Sequence, residues 1–331
     1  MDPIAEAADE NQDLYDISTW EARTRLDHLA VIIFKAIVYV SRALVVLLAL
    51  GMLVTLVLLG ALGVLVERPI VTVLISFSAL PALGLAVYVW YSDPTTSEPI
   101  WLLTTAFVLG LLFANFAAVI NGLTEPLLTW IPVIGLPLFF YLVVAPVEET
   151  VKLLAVRLSA FESDAFDSVI DGAVYGAFAG LGFATIENAL YVSQGYLSSV
   201  QGPTEASIIG MVVGTAAVRS LAGPGHVIYS AIAGYYLGLA KFTREYRGPI
   251  IVKGLLIAAV IHGTYNSLAG VVPTFLGASL DIPSSIAFLI FIIGFDGLFI
   301  YVLYRKLNRY RSLYRGVSAD AKRDIERRKR P

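Results

Sequence analysis

Residues 145–157 read APVEETVKLLAVR, and the fold follows from where this stretch sits. Two adjacent carboxylates, Glu148 and Glu149, and the ammonium of Lys152 stand between runs rich in Leu and Val. In water this is an ordinary charged helix start. Pro146 suits a first turn, where carboxylates meet free N–H groups and the helix dipole, and Glu148 and Lys152 are spaced i,i+4 and can pair. In a bilayer each charge costs roughly 2.5–3.5 kcal/mol on insertion scales, so three together require a use.

The surrounding chain places the stretch in a bilayer. Of 331 residues, 57% are hydrophobic and 15% charged, which is too apolar for an ordinary soluble protein of this length. Its apolar runs are long enough to cross about 30 Å of hydrocarbon at about 1.5 Å per residue. The short alternating segments of a β-barrel are not seen. The expected class is all-α, a polytopic transmembrane helical bundle of about eight or nine spans. Spans are expected at 43–66, 70–91, 100–123, 128–158, 168–196, 206–222, 226–240, 250–272 and 285–304. The breaks between them are ERP (67–69), SDPTTSEP (92–99), TEP (124–126), FESDAFD (161–167), GPG (223–225), REYRGP (244–249) and SLDIPSS (279–285).

Charge divides the chain further. Residues 1–28 carry eight acids against two arginines, and residues 305–331 carry eleven Lys/Arg against three acids. The basic tail follows a span directly, which marks a cytoplasmic anchor rather than a nucleic-acid arm. The expected organisation is a polar segment with an interfacial helix at 1–42, a transmembrane catalytic domain at 43–304 with its motifs within 137–267, and the tail at 305–331. The polar first 28 residues carry no apolar core of a signal peptide. Lys241, Arg244 and Arg247 agree with a cytoplasmic tail, whereas nine crossings set the N-terminus outside, against Arg23, Arg25, Lys35 and Arg42. There is no cysteine, which excludes disulfides, thiolate zinc sites and a cysteine nucleophile.

Four polar groups fall within the spans. EETVK (Glu148, Glu149, Lys152) is either a salt-bridged helix start or a functional element, and its apolar flanks with Pro132, Pro137 and Pro146 favour function. In DGAVYGAFAGLGFATIEN (171–188), Gly172, Gly176 and Gly180 form a smooth face for close helix packing. Glu187 and Asn188 at its end need partners, as a clasp between helices or as part of a site. In GPGHVIYS, Ser230 follows His226 by one turn, and in HGTYN, Asn266 follows His262 at the same spacing. A lone histidine on an apolar face is usually a satisfied core residue, but two of the chain's three histidines lie here with matched partners. Arg219 and Asp296 are read as structural partners, for each other or for a glutamate.

Carboxylates and histidines in a dry site can activate water, with a glutamate as general base, and His or Asn donors can stabilise an oxyanion. That chemistry is peptide hydrolysis within the membrane. No GxSxG motif supports a serine mechanism. Without HExxH, a zinc ion would need both His226 and His262 plus Glu148 or Glu149, so the metal-bound and metal-free versions use nearly the same residues.

EETVK, FATIEN (183–188), the histidine of GPGHVIYS and HGTYN, in this order, resemble the motifs of the PrsW family of intramembrane proteases. That family is identified with the superfamily of CAAX prenyl proteases and their bacterial Abi relatives. The resemblance covers about residues 137–267. It implies cleavage of membrane-anchored proteins near or within their transmembrane segment, an anti-sigma factor being the best-known kind of substrate. It also implies a lipid bilayer as surroundings, no nucleic-acid partner, and either zinc or no metal. The implied roles are water activation by Glu148 and Glu149 with His226 assisting, oxyanion binding by His262 and Asn266, and support from Lys152, Glu187 and Asn188. With the tail inside, His226 is expected near the outer surface, and Glu187, about 28 Å along its span, fits the site less well. An ion- or proton-coupled transporter is the rival reading, because intramembrane Glu, His and Lys also mark ion pathways. A scaffold that binds transmembrane helices without cutting them is a second.

Overall fold

The computed structural model describes residues 13, 22–56, 68–95, 98–200, 204–243 and 245–328. The end of the first expected span and Glu67 of the ERP break lie outside the described residues. Two compact units divide at residue 48. The first contains most of helix α1 (Arg25–Leu56), so the interfacial helix expected within residues 1–42 runs unbroken into the first expected span.

The second unit, residues 49–331, is built of helices and short connections, with no strand among its described residues. After α2 (Pro69–Tyr91) and α3 (Ile100–Thr129), a short α4 (Gly135–Phe139) continues through a π-helical turn, Phe140–Val144, into α5 (Ala145–Ser159). Four long helices follow: α6 (Val169–Ser199), α7 (Glu205–Phe242), α8 (Arg247–Leu280) and α9 (Ser284–Arg328). Among the described residues seven helices, including α1, are long and apolar enough to cross a membrane.

Two expected breaks are absent. GPG does not separate two spans; α7 runs through Pro224 as one helix, which removes one crossing from the expected count. In water Gly-Pro-Gly punctuates a chain, but a transmembrane helix tolerates it because neighbouring groups satisfy the freed carbonyl. TEP likewise lies inside α3, which ends at Thr129. The reversal comes later, where Val133 takes a positive φ of 67°. The other breaks stand where their residues are described, Thr96, Ser97 and Arg244 lying outside: α8 ends on Asp281 in the left-handed conformation, just after Leu280, and Ser168 and Asp171 form a capping box at the start of α6.

The core is the antiparallel pair α6–α7, and the glycine face explains it. A Cβ on Gly172, Gly176 or Gly180 would strike the backbone of Gly234, Ser230 or His226. Gly234 and Gly238 of α7 meet Gly172 and Val169 in the same way. On another face of α6, Gly182 meets the Phe107 carbonyl of α3, whose own Gly110 abuts Ala179. Close backbone approach of this kind is what small residues supply where lipid gives no hydrophobic drive between helices. It also leaves Glu187 of α6 beside the middle of α7.

Candidate active site

The stretch 145–157 becomes α5, and the π turn before it sets its entry. Pro146 has no N–H for the carbonyl one α-turn back, and the N–H of Ala145 bonds instead to the Phe140 carbonyl, the wider π spacing. Such turns are frequent at functional sites. Tyr141 in this turn packs on Gly263 and shares a 2.8 Å hydrogen bond with the Thr264 hydroxyl, which brings the turn against α8 beside His262.

Glu148, Glu149 and Lys152 are all buried. Lys152 Nζ donates to Glu149 Oε1 at 2.7 Å and lies 3.8 Å from Glu148 Oε2, so the pair closes on the second glutamate rather than the first. Glu149 Oε1 also takes a 2.9 Å bond from His262 Nδ1, and Glu149 is 0% exposed. A carboxylate only accepts, so Nδ1 carries the proton and His262 Nε2 is left facing Glu148 Oε2 at 3.8 Å. Glu148 Oε1 accepts from the Asn121 side chain at 3.1 Å, while its buried Oε2 has no hydrogen-bond partner.

His226 sits in the middle of α7 rather than near the outer surface, because α7 extends unbroken on both sides of it. Its Nδ1 lies 2.9 Å from Lys152 Nζ and its Nε2 2.7 Å from Glu187 Oε2. An ammonium only donates, so Nδ1 accepts and Nε2 donates to Glu187. Glu187 therefore reaches the site despite the depth expected of it, since α6 and α7 run antiparallel. Arg219 holds Glu187 Oε2 at 2.5 Å and donates to Asn188 Oδ1 at 2.9 Å, and Asn188 in turn donates to the Ser78 carbonyl and hydroxyl on α2. Glu187 and Asn188 thus form both of the things considered for them, an interhelical clasp and a contact with the histidine. The rings of His226 and His262 meet edge to face at 5.2 Å, and Tyr229 stacks on His262 at 5.1 Å.

Glu148, Glu187, His226, His262 and Asn266 line one cavity of about 810 Å³, together with Arg219 and Asn121. Asn266 is a wall residue one turn from His262. Glu149 and Lys152 lie behind the wall, where they orient the histidines. Asn121 and Tyr229 were not singled out by sequence. Asn121 carried a usable signal, a polar side chain in an apolar run that needs a partner, but its neighbour depends on how α3 and α5 are rotated. Arg219 pairs with a glutamate, and not with Asp296, whose Oδ1 is buried without a partner. Ser230, buried beside His226, has a hydroxyl without a hydrogen bond.

One nitrogen or oxygen each from Glu148, His226 and His262 lie within 4.8 Å of one another, a set that can hold a metal ion. Two histidines and a carboxylate are a familiar catalytic zinc donor set, and His262 already has the carboxylate behind it that zinc-ligating histidines use. The orphaned Glu148 Oε2 fits as well. His226 fits by exchanging its bond to Glu187 or to Lys152 for the ion.

Residues 98–297 match the family described as PrsW family intramembrane metalloprotease. Over 193 residues the chain is 30% identical to Protease PrsW of Oceanobacillus iheyensis, covering 58% of this chain and 81% of that protein. Against Protease PrsW of Bacillus subtilis the identity is 29% over 197 residues, with 58% and 81% covered. Protease PrsW of Clostridioides difficile is 31% identical over 129 residues, 38% of this chain and 49% of its own. No solved structure matches the chain. Nothing in these comparisons supports the transporter reading.

Proposed function

The chain belongs to the PrsW family of intramembrane metalloproteases and is an intramembrane protease; on that premise we propose that Glu148 is its water-activating base and that His262, His226 and Asn266 complete the centre. The observation that carries this reading is the free Glu148 oxygen on the cavity wall, 3.8 Å from His262 Nε2. Glu148 takes a proton from water as the water oxygen adds to the scissile carbonyl carbon, then gives it to the leaving amine as the C–N bond breaks. Asn121 fixes the carboxylate during both transfers. Glu149 and Lys152 set the orientation of the two histidines from behind the wall, and Arg219 holds Glu187 against His226.

The metal-free and metal-bound versions differ at His262 Nε2 and in the duty of Glu148. Without metal, His262 Nε2 carries a proton and donates, with Asn266, to the oxyanion; Glu149 then balances the imidazolium. With metal, the Nε2 lone pair, His226 and Glu148 would hold the ion, which would supply Lewis acidity and a more acidic water, and Glu148 would then act as a ligand rather than as the base. The metal-free version is the one a place in the CAAX protease superfamily favours.

The substrate is a membrane-anchored protein cut near or within its span, and an anti-sigma factor is the class the family resemblance supports. With the basic tail in the cytoplasm, the ends of α5 and α7 and the starts of α6 and α8 share its side. From that side Glu148, His262, His226 and Glu187 lie roughly 16, 22, 24 and 27 Å along their helices. The cavity also takes in Glu125, Gln194 and Leu197, near the opposite helix ends, so it opens toward the exterior. In nanodiscs containing a single-span substrate, Glu148→Gln and His262→Ala are expected to lower cleavage about 10²–10⁴-fold. Full activity in either variant removes that residue from the centre.

A further inference from the structure

A second carboxylate cluster lies at the other end of α6. Asp93 and Glu98 come from the connection between α2 and α3, and Asp171 from the first turn of α6, roughly 24 Å along that helix from Glu187. One oxygen from each lies within 4.8 Å of the others. Much of this is helix capping. Asp171 accepts the N–H groups of Asp167 and Ser168 at 2.7 and 2.9 Å. Asp93 Oδ1 accepts the N–H and hydroxyl of Thr95, both at 2.7 Å.

Capping leaves three oxygens unexplained. Asp93 Oδ2 and both oxygens of Glu98 are buried with no hydrogen-bond partner outside the cluster, and Glu98 is 2% exposed; these oxygens of Asp93 and Glu98 can bond only to each other, by sharing a proton. Among the described residues no Lys or Arg forms an ion pair with any of the three acids. The nearby Lys241 spends its donors on the Ser163 and Phe166 carbonyls at 3.1 and 2.7 Å. A buried carboxylate in this position either keeps a proton or holds a cation. Burial and the adjacent Asp93 push the Glu98 carboxyl up to about 9 when no cation is bound.

We propose that Asp93, Glu98 and Asp171 form a site for a hard divalent cation, Mg²⁺ or Ca²⁺, that ties the α2–α3 connection to the start of α6. Three carboxylates with no nitrogen or sulfur donor select these ions over zinc. Partly exposed Asp93 leaves a side on which water completes the coordination. Glu98 directly precedes Pro99, the N-cap of α3, so the ion pins the first turns of two helices, α3 with Asn121 and α6 with Glu187.

The test uses full-length protein in detergent, stripped with a chelator and then titrated separately with MgCl₂, CaCl₂ and ZnCl₂. Thermal midpoint is read for the wild type, Glu98→Gln and Asp93→Asn, both near-isosteric. A saturable rise with Mg²⁺ or Ca²⁺ is expected in the wild type. It should be absent in Glu98→Gln and should need about tenfold more cation in Asp93→Asn; the salt that acts at lower concentration identifies the ion. Zinc bound at the histidines should shift all three proteins alike. The proposal is overturned by no saturable rise in the wild type, or by an equal rise in both variants. A wild type indifferent to both salts, with Glu98→Gln at least as stable, would identify Glu98 as a protonated acid instead.

Discussion

Glu148 and Glu149 are neighbours in sequence with opposite duties in space. Glu149 holds Lys152 and His262 on one oxygen and has no place on the cavity wall. Removing its charge strands a lysine that is 1% exposed, and breaking a buried pair in this way costs about 3–5 kcal/mol. Glu149→Gln is therefore expected to lower the unfolding midpoint sharply as well as cleavage. Glu148→Gln, which keeps an oxygen for Asn121 and gives up the 3.8 Å approaches of its charge to Lys152 and His262, should keep the midpoint within a few degrees and lose cleavage. Unfolding and cleavage measured side by side on the two variants check this division; equal loss of stability would refute it. The same logic applies to Arg219. Arg219→Met should destabilise by about 3 kcal/mol, and adding Glu187→Met should recover part of that loss, because the second change removes the stranded charge. The residues that matter were visible as polar groups in apolar runs. Which glutamate faces the cavity was not, since a single residue step turns a helix by about 100° and only packing fixes the rotation.

Helix geometry decides what those side chains can reach. The four-residue glycine spacing in α6 announced a packing face, and the structure places α7 on it. Gly176→Leu has no room against Ser230 and Gly234 and is expected to abolish accumulation of folded protein. Gly210→Leu on α7, with nothing within 4 Å of its added Cβ, should be tolerated, and expression with size-exclusion profiles compares the two. The GPG break was misread because local punctuation rules come from chains in water, whereas α7 passes through Pro224 with neighbours on both sides. That one error displaced His226 to a helix end and made Glu187 look too deep. The π turn had no sequence signal beyond Pro146. Pro146→Ala restores the missing N–H, so it should hold or raise stability while lowering cleavage, as the entry of α5 shifts.

At the scale of the whole molecule, the fold brings acids from α5 and α6 and histidines from α7 and α8 around one cavity, an arrangement that suits the proposed hydrolytic centre better than an ion pathway threaded between repeats. Membrane class and motif order were legible from composition and spacing. The cavity was not, because its wall draws on side chains from every helix from α3 to α8 and exists only once they pack. The chain's lack of cysteine makes its orientation directly testable. A single cysteine at Thr204, before α7, should react with an impermeant maleimide from outside, and one at Tyr246, after α7, only in opened cells; the reverse pattern would invert the site. The most direct test of the central claim compares new N-termini of membrane proteins in cells expressing the wild type or Glu148→Gln. Fragments cut near or within a transmembrane segment, present with the wild type and absent with the variant, are predicted. Identical fragment sets from equally abundant, folded proteins would contradict the assignment of Glu148 as the water-activating base.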